Sequence, residues 1–293
     1  MGGSFALATI EDENGTTAAL VRNGAVRPLA GRPGLTDLLR DWEAALDGIE
    51  LEGAERPLDS VRLLPPVPAP PNLYMVGANY LSHAREMRGL GPDDPVEPPA
   101  EGPFVFLKPT TTLVGHRDAV VLPAGYRALD HEVELAVVIG RRADGVDEAS
   151  ALDHVAGYTV ANDISLRDAF RRGEDAEPPM RFDWFAQKGR RTSCPAGPVL
   201  LPARFCSDPD ALDLRLTVNG EIRQQSNTRE MMFSVAAIVA YVSRIVALVP
   251  GDMICTGTCA GVGAASGRFL APGDVVSAGI DGIGELANEV VSA

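Results

Sequence analysis

The sequence predicts a strand-rich α+β fold carrying a small N-terminal α/β module, on three observations. Short β-prone runs broken by Gly, Pro or Asn recur through most of the chain, at 104–115, 131–140, 212–224 and 273–291. Few segments carry a helical period, the clearest being 82–88, 149–155 and 234–249. Prolines at 65, 66, 68, 70 and 71 stiffen the chain and remove backbone donors, so they set residues 1–65 apart from a larger domain over 66–293.

The elements follow in order. Asn23-Gly24 divides two apolar-containing runs, a strong hairpin signal because both turn positions need positive φ. Thr36 stands where it can cap a helix whose Leu38, Leu39, Trp42, Ala45, Leu46 and Ile49 recur at helical spacing. After the prolines, Ser82 can open a short helix. LAVVIG, 135–140, is apolar at every position and reads as a strand covered on both faces. GYTVAND forms a second strand that ends near Asp163, with Asn162 read as a turn former. The longest apolar run, 231–249, contains Ser234, Ser243 and Arg244. It therefore reads as a buried helix stopping before Pro250-Gly251, not as a membrane span. Loops 89–103 and 173–179 are rich in Pro and acids, with the length of lids or of surface insertions.

Composition narrows the function. The chain has 293 residues, 45% of them hydrophobic and 23% charged, which excludes a disordered protein. With 26 Lys+Arg against 40 Asp+Glu, the net charge of −14 repels phosphate backbones and anionic lipid. No basic patch offsets it, so neither nucleic acid nor membrane is an expected partner. The N-terminus lacks the basic start and apolar stretch of a signal peptide, and none of the four cysteines forms a CxxC pair. Reduced thiols in a cytoplasmic protein are the expectation.

The sharpest chemical feature is Asp130-His131-Glu132-Val133-Glu134, leading straight into the apolar strand. Side chains two apart on a strand share a face, so Glu132 and Glu134 point the same way. Two carboxylates at the mouth of a buried strand repel unless a cation or arginines neutralise them. A hard divalent ion does this, and Asp163 would complete its oxygen set; a solvated strand end and a turn aspartate are the plain alternatives. His83 and Glu86, three apart on one helix face, would make a carboxylate-oriented general base, or merely an exposed pair. The Gly- and Thr-rich segment 251–263 allows close approach to a ligand but lacks the spacing of a nucleotide loop.

Taken together, NY-x-x-HA-x-E, F-x-F-LKP-x-x-x-LVG, DxExELAVVIG, NDIS-x-RD, KG-x-x-x-x-CPAGP, VNGE-x-RQ-x-SNT, PGD-x-x-x-TGT-x-AGVG and PGD-x-V-x-x-x-I-x-GIGEL occur in one order from about Asn72 to the C-terminus. The chain resembles the fumarylacetoacetate hydrolase family. The resemblance implies a mixed β-sandwich roll, a homodimer, and Mg²⁺ or Mn²⁺, with Ca²⁺ also used, held by Glu132, Glu134 and Asp163. It implies His83 and Glu86 as a water-activating dyad and Lys188 as the lysine beside the metal. Thr258, with Gly257 of the same turn, Tyr80, Arg167 and Phe170 fall at substrate-binding positions. The implied reaction is hydrolytic C–C cleavage of an acylpyruvate-like β-diketo acid such as fumarylpyruvate, acetylpyruvate or a 2,4-diketo acid. A decarboxylase or isomerase of aromatic catabolism is the alternative, and a non-catalytic metal-binding homologue a third. Phe170 departs from the pattern, standing where many members have a glutamine, which favours a less polar substrate. Ser82, Arg190-Arg191 and Cys259 depart as well.

Overall fold

The computed structural model describes residues 3–293, and its architecture is the expected strand-rich α+β. The largest sheet runs, in spatial order, Arg56–Pro57, Ala25–Pro28, Gly15–Arg22, Ala6–Asp12, Cys194–Pro202, Val155–Asn162, Val133–Ile139, Met253–Thr258, Leu73–Gly77 and Phe104–Leu107. Most neighbours are antiparallel; Met253–Thr258 and Leu73–Gly77 run parallel. Strands from the first 65 residues continue this sheet, Leu7 lying opposite Leu200. A second sheet runs Glu221–Asn227, Asp213–Val218, Val275–Ile280, Gly284–Ser292 and Val120–Leu122.

The all-apolar strand Val133–Ile139 is buried along its whole length, and its alternation shows why. Leu135, Val137 and Ile139 enter a core shared with Leu214, Leu216, Val276 and Leu286 of the second sheet and with Ile238, Val239 and Val242 of a helix. Ala136 and Val138 face the opposite core, with Leu35, Leu39, Trp42 and Met253. Each fully buried Leu or Ile contributes roughly 1.5–3 kcal/mol, so a strand covered twice is a rigid base for the acids at its end.

Local signals fared unevenly. Asn23 (φ 51°) and Gly24 (φ 75°) take the positive-φ hairpin turn expected of them. The expected Thr36-capped helix is corrected. Gly34 occupies the cap, and the segment divides into Leu35–Leu38, a 3₁₀ turn and Trp42–Asp47. Packing decides this, since Leu35, Leu39, Trp42 and Leu46 all stay buried and the Trp42 indole donates to Ala156 O. The helix after Ser234 runs Val235–Ile245, shorter than expected, because Val246 turns extended and Leu248 bridges to Ala143. No described helix is long and apolar enough to cross a membrane.

Candidate active site

Where Val133–Ile139 and Val155–Asn162 pair, their ends bring three acids together. Val133 lies opposite Asn162, so Glu132 and Asp163 leave the sheet side by side. The Asn162 amide oxygen accepts from the Glu132 N–H at 2.9 Å and fixes that approach; its role is a clamp, where the sequence suggested a turn. Glu132, Glu134 and Asp163 each offer a carboxylate oxygen within 4.8 Å of the others, and all three are buried.

Cations surround this cluster unequally. Lys188 Nζ donates to Glu132 Oε2 (2.8 Å) and Asp163 Oδ2 (2.6 Å). Arg167 donates to Asp130 Oδ2 (2.8 Å) and to Glu132 Oε1. Lys108, fully buried, donates to Asp163 and to the Ile164 and Ser193 carbonyls. Burial pushes the Glu132 carboxyl up, yet Lys188 and then Arg167 outweigh it and hold it down at about 2. For Lys188, burial works to lower the ammonium and the Asp163 and Glu132 carboxylates overcome it, leaving it raised.

Glu134 is different. Its Oε2 accepts only the Gly257 N–H, at 2.8 Å. Burial first, then the Asp163 and Glu132 carboxylates, push its carboxyl well above the usual range. Three clustered carboxylates, one of them short of a cation, fit a hard divalent ion that takes several oxygens. Glu132, Glu134 and Asp163 would hold it.

The cluster forms the floor of a cavity of about 360 Å³. His83 is in its wall, with Nδ1 3.4 Å from Glu86 Oε2, on the helix Leu81–Arg88. That helix opens at Leu81, not Ser82. Glu86 is itself held by the Gly261 N–H (2.9 Å), so the dyad is tied to the segment after the TGT turn. Phe104, Phe106, Phe170 and Trp184 also line the cavity, with Phe104 and Trp184 reaching solvent.

Of the expected substrate-binding residues, Arg167, Phe170 and Thr258 reach the cavity; Tyr80 and Gly257 are not among the residues that line it. Tyr80 is buried in the core, its hydroxyl without a partner. Gly257 spends its N–H on Glu134. Its φ of +94° and the 2.8 Å that a Cβ would leave to Asn79 Cβ demand glycine there. The Thr258 hydroxyl donates to Val133 O and accepts from Gln224, each at 2.8 Å. Neither of the loops 89–103 and 173–179 lines the cavity.

Sequence reasoning gave no role of their own to Lys108, Gln187, Gln224 and Asp130. Lys108 sits in the LKP motif, where nothing local marks it as buried. Gln224 joins the Val133 N–H, Thr258 and Cys259 from a strand ninety residues away, which only the fold reveals.

A family model described as Fumarylacetoacetate (FAA) hydrolase C-terminal matches residues 72–291. The mitochondrial oxaloacetate tautomerase FAHD2A of Bos taurus is 35% identical over 95% of this chain and 86% of its own. A crystal structure of 2-hydroxyhepta-2,4-diene-1,7-dioate isomerase from Mycobacterium marinum superposes at TM-score 0.76, 34% identical, covering 99% of both chains. That of maleylpyruvate hydrolase from Sphingobium sp. SYK-6, in complex with manganese(II) and pyruvate, does so at 0.75 with 30% identity, over 98% and 99%.

Proposed function

The chain belongs to the fumarylacetoacetate hydrolase family, and from that premise we propose that it is a divalent-metal-dependent hydrolase of an acylpyruvate-like β-diketo acid. The observation that carries this reading is the His83–Glu86 pair in the wall of the cavity whose floor is the carboxylate trio. Mg²⁺ or Mn²⁺ suits the all-oxygen donor set, and the solved relative with manganese and pyruvate supports that choice.

In the balanced reaction R–CO–CH₂–CO–COO⁻ and water give R–COO⁻, pyruvate and a proton. His83 Nδ1 faces the Glu86 carboxylate, so Nε2 is left to take a proton from water. Oxygen attacks the distal carbonyl, the C–C bond breaks, and the electron pair moves toward the 2-oxo oxygen. A divalent ion, which Glu132, Glu134 and Asp163 would hold, would supply positive charge where that oxyanion develops. Lys188 uses two of its three N–H donors on Glu132 and Asp163 and keeps the third for the same region. The proton on His83 then passes to the methylene carbon, making the methyl group of pyruvate.

The relatedness to oxaloacetate tautomerases over nearly the whole chain favours a second reading, proton transfer or decarboxylation of a 2-oxo acid at the same site. The Mn²⁺-loaded protein, given acetylpyruvate and oxaloacetate separately, distinguishes them. Stoichiometric acetate and pyruvate from the first is the expected result. Enol–keto exchange or CO₂ from the second, with no acetate from the first, would transfer the assignment.

A further inference from the structure

The cavity changes character along its length. At the floor stand the carboxylates and their cations. Further out the wall is aromatic: Trp184 packs against Phe104 and Phe106 with ring centroids 5.3 Å away from each, and meets Phe170 edge-on at 5.1 Å. Phe106 lies 5.8 Å from Lys188 Nζ, so this box begins where the ionic floor ends. Phe104 is 51% exposed and Trp184 39%, a large apolar area left facing the opening.

Two further facts specify the occupant. The permanent cations that line the cavity are Arg167 and Lys188, and both are already engaged with Asp130, Glu132 and Asp163. A second carboxylate on the substrate would thus lie against aromatic faces, away from the two cations, which are held at the ionic floor. One uncommitted polar group does stand there. Gln187 is 2% exposed, lines the cavity, and its Oε1 has no hydrogen-bond partner. A buried amide oxygen left unpaired is costly, and a ligand that pairs it recovers that cost.

We propose that the substrate carries an uncharged, apolar acyl group, aryl or branched alkyl, seated among Phe104, Phe106, Phe170 and Trp184, with the Gln187 amide oxygen accepting a hydrogen bond from the enol hydroxyl of the β-diketo acid. The substrate is then an aroyl- or alkanoyl-pyruvate type of acid and not a dicarboxylate. This rests on the proposed function for the head-group site alone.

Three stable oxalyl amides test it by calorimetric titration of the Mn²⁺-loaded full chain: oxamate, N-phenyloxamate and N-oxalylglycine. N-phenyloxamate is expected to bind about tenfold more tightly than oxamate, from burial of its ring. N-oxalylglycine is expected to bind no more tightly than oxamate. Phe170→Gln should shrink the phenyl preference about threefold or more, since it removes one face of the box. Gln187→Leu should weaken N-phenyloxamate about fivefold while the melting temperature stays level or rises, because an unpaired buried amide leaves the native state. A fall in melting temperature with unchanged affinity would make Gln187 structural and overturn its part. Oxamate binding with N-oxalylglycine as tight as N-phenyloxamate, or a phenyl preference untouched by Phe170→Gln, would overturn the apolar substrate. Failure of oxamate itself to bind would sink the oxo acid reading and this inference with it.

Discussion

Glu134 has the sharpest consequences of any single residue. It is buried beside two carboxylates with one backbone N–H for company, and so favours its neutral form. Its folded value lies above the ordinary 4.5, so in metal-free protein it stabilises the native state below pH 4.5 and that stability is lost as pH rises toward the folded value. Glu132 has the opposite sign. Its carboxyl sits at about 2, so its contribution is complete above 4.5 and is lost as pH falls toward 2. Thermal melts in chelator should therefore show the contribution of this pair peaking near pH 4.5, and Glu134→Gln should flatten the alkaline side alone. Because a divalent ion needs the Glu134 carboxylate, Mn²⁺ binding should release a proton and strengthen with pH. Titration in two buffers of different ionisation enthalpy reads that proton. Lys108→Met removes one partner of a buried ion pair, a loss of about 3 kcal/mol in denaturant melts. On the proposed mechanism His83→Ala should lower the rate of acetate formation by about 10²–10⁴-fold with Mn²⁺ affinity unchanged, since the imidazole would move a proton and hold no ion.

At the scale of elements, the site depends on one turn. Gly257 donates to Glu134, and Thr258 and Gln224 tie the same turn to Val133. Gly257→Ala forces an L side chain into φ +94° and against Asn79 Cβ and Val76 O. We expect a loss of about 1–3 kcal/mol in stability and weaker Mn²⁺ binding, both measurable on the purified variant. Elements with strong local signals were legible before any coordinates: the Asn23-Gly24 hairpin, the doubly covered strand at 135–140, and the E-x-E pair at its mouth. Those decided by distant packing were not. The helix expected from Thr36 breaks because four apolar side chains must reach one core. The apolar run after Ser234 leaves its helix early because Leu248 finds a strand partner in Ala143. Nothing local marked Lys108 or Gln187, and only the fold places Lys108 against Asp163 and Gln187 in the cavity wall.

Over the whole molecule, the fold resolves a charge conflict. Two sheets and their helices enclose a central strand so completely that the acids at its end lose their solvent. Lys108, Lys188 and Arg167 offset that loss for Glu132 and Asp163 and leave Glu134 exposed to its neighbours' repulsion. The residues that would process a substrate line the same cavity as that unresolved charge: His83 of the dyad and the aromatic box. Family membership, read from eight motifs in order, agrees with this arrangement; the proposed distal specificity rests on Phe170 and Gln187, since one fold can host different sites. Calorimetric titration of chelator-treated protein with Mn²⁺ addresses the core of this directly. One ion per chain is expected for the natural sequence, with binding weakened at least a hundredfold, about 2.7 kcal/mol, in Asp163→Asn. An unaltered isotherm in that variant, or no binding in the natural protein, would contradict it.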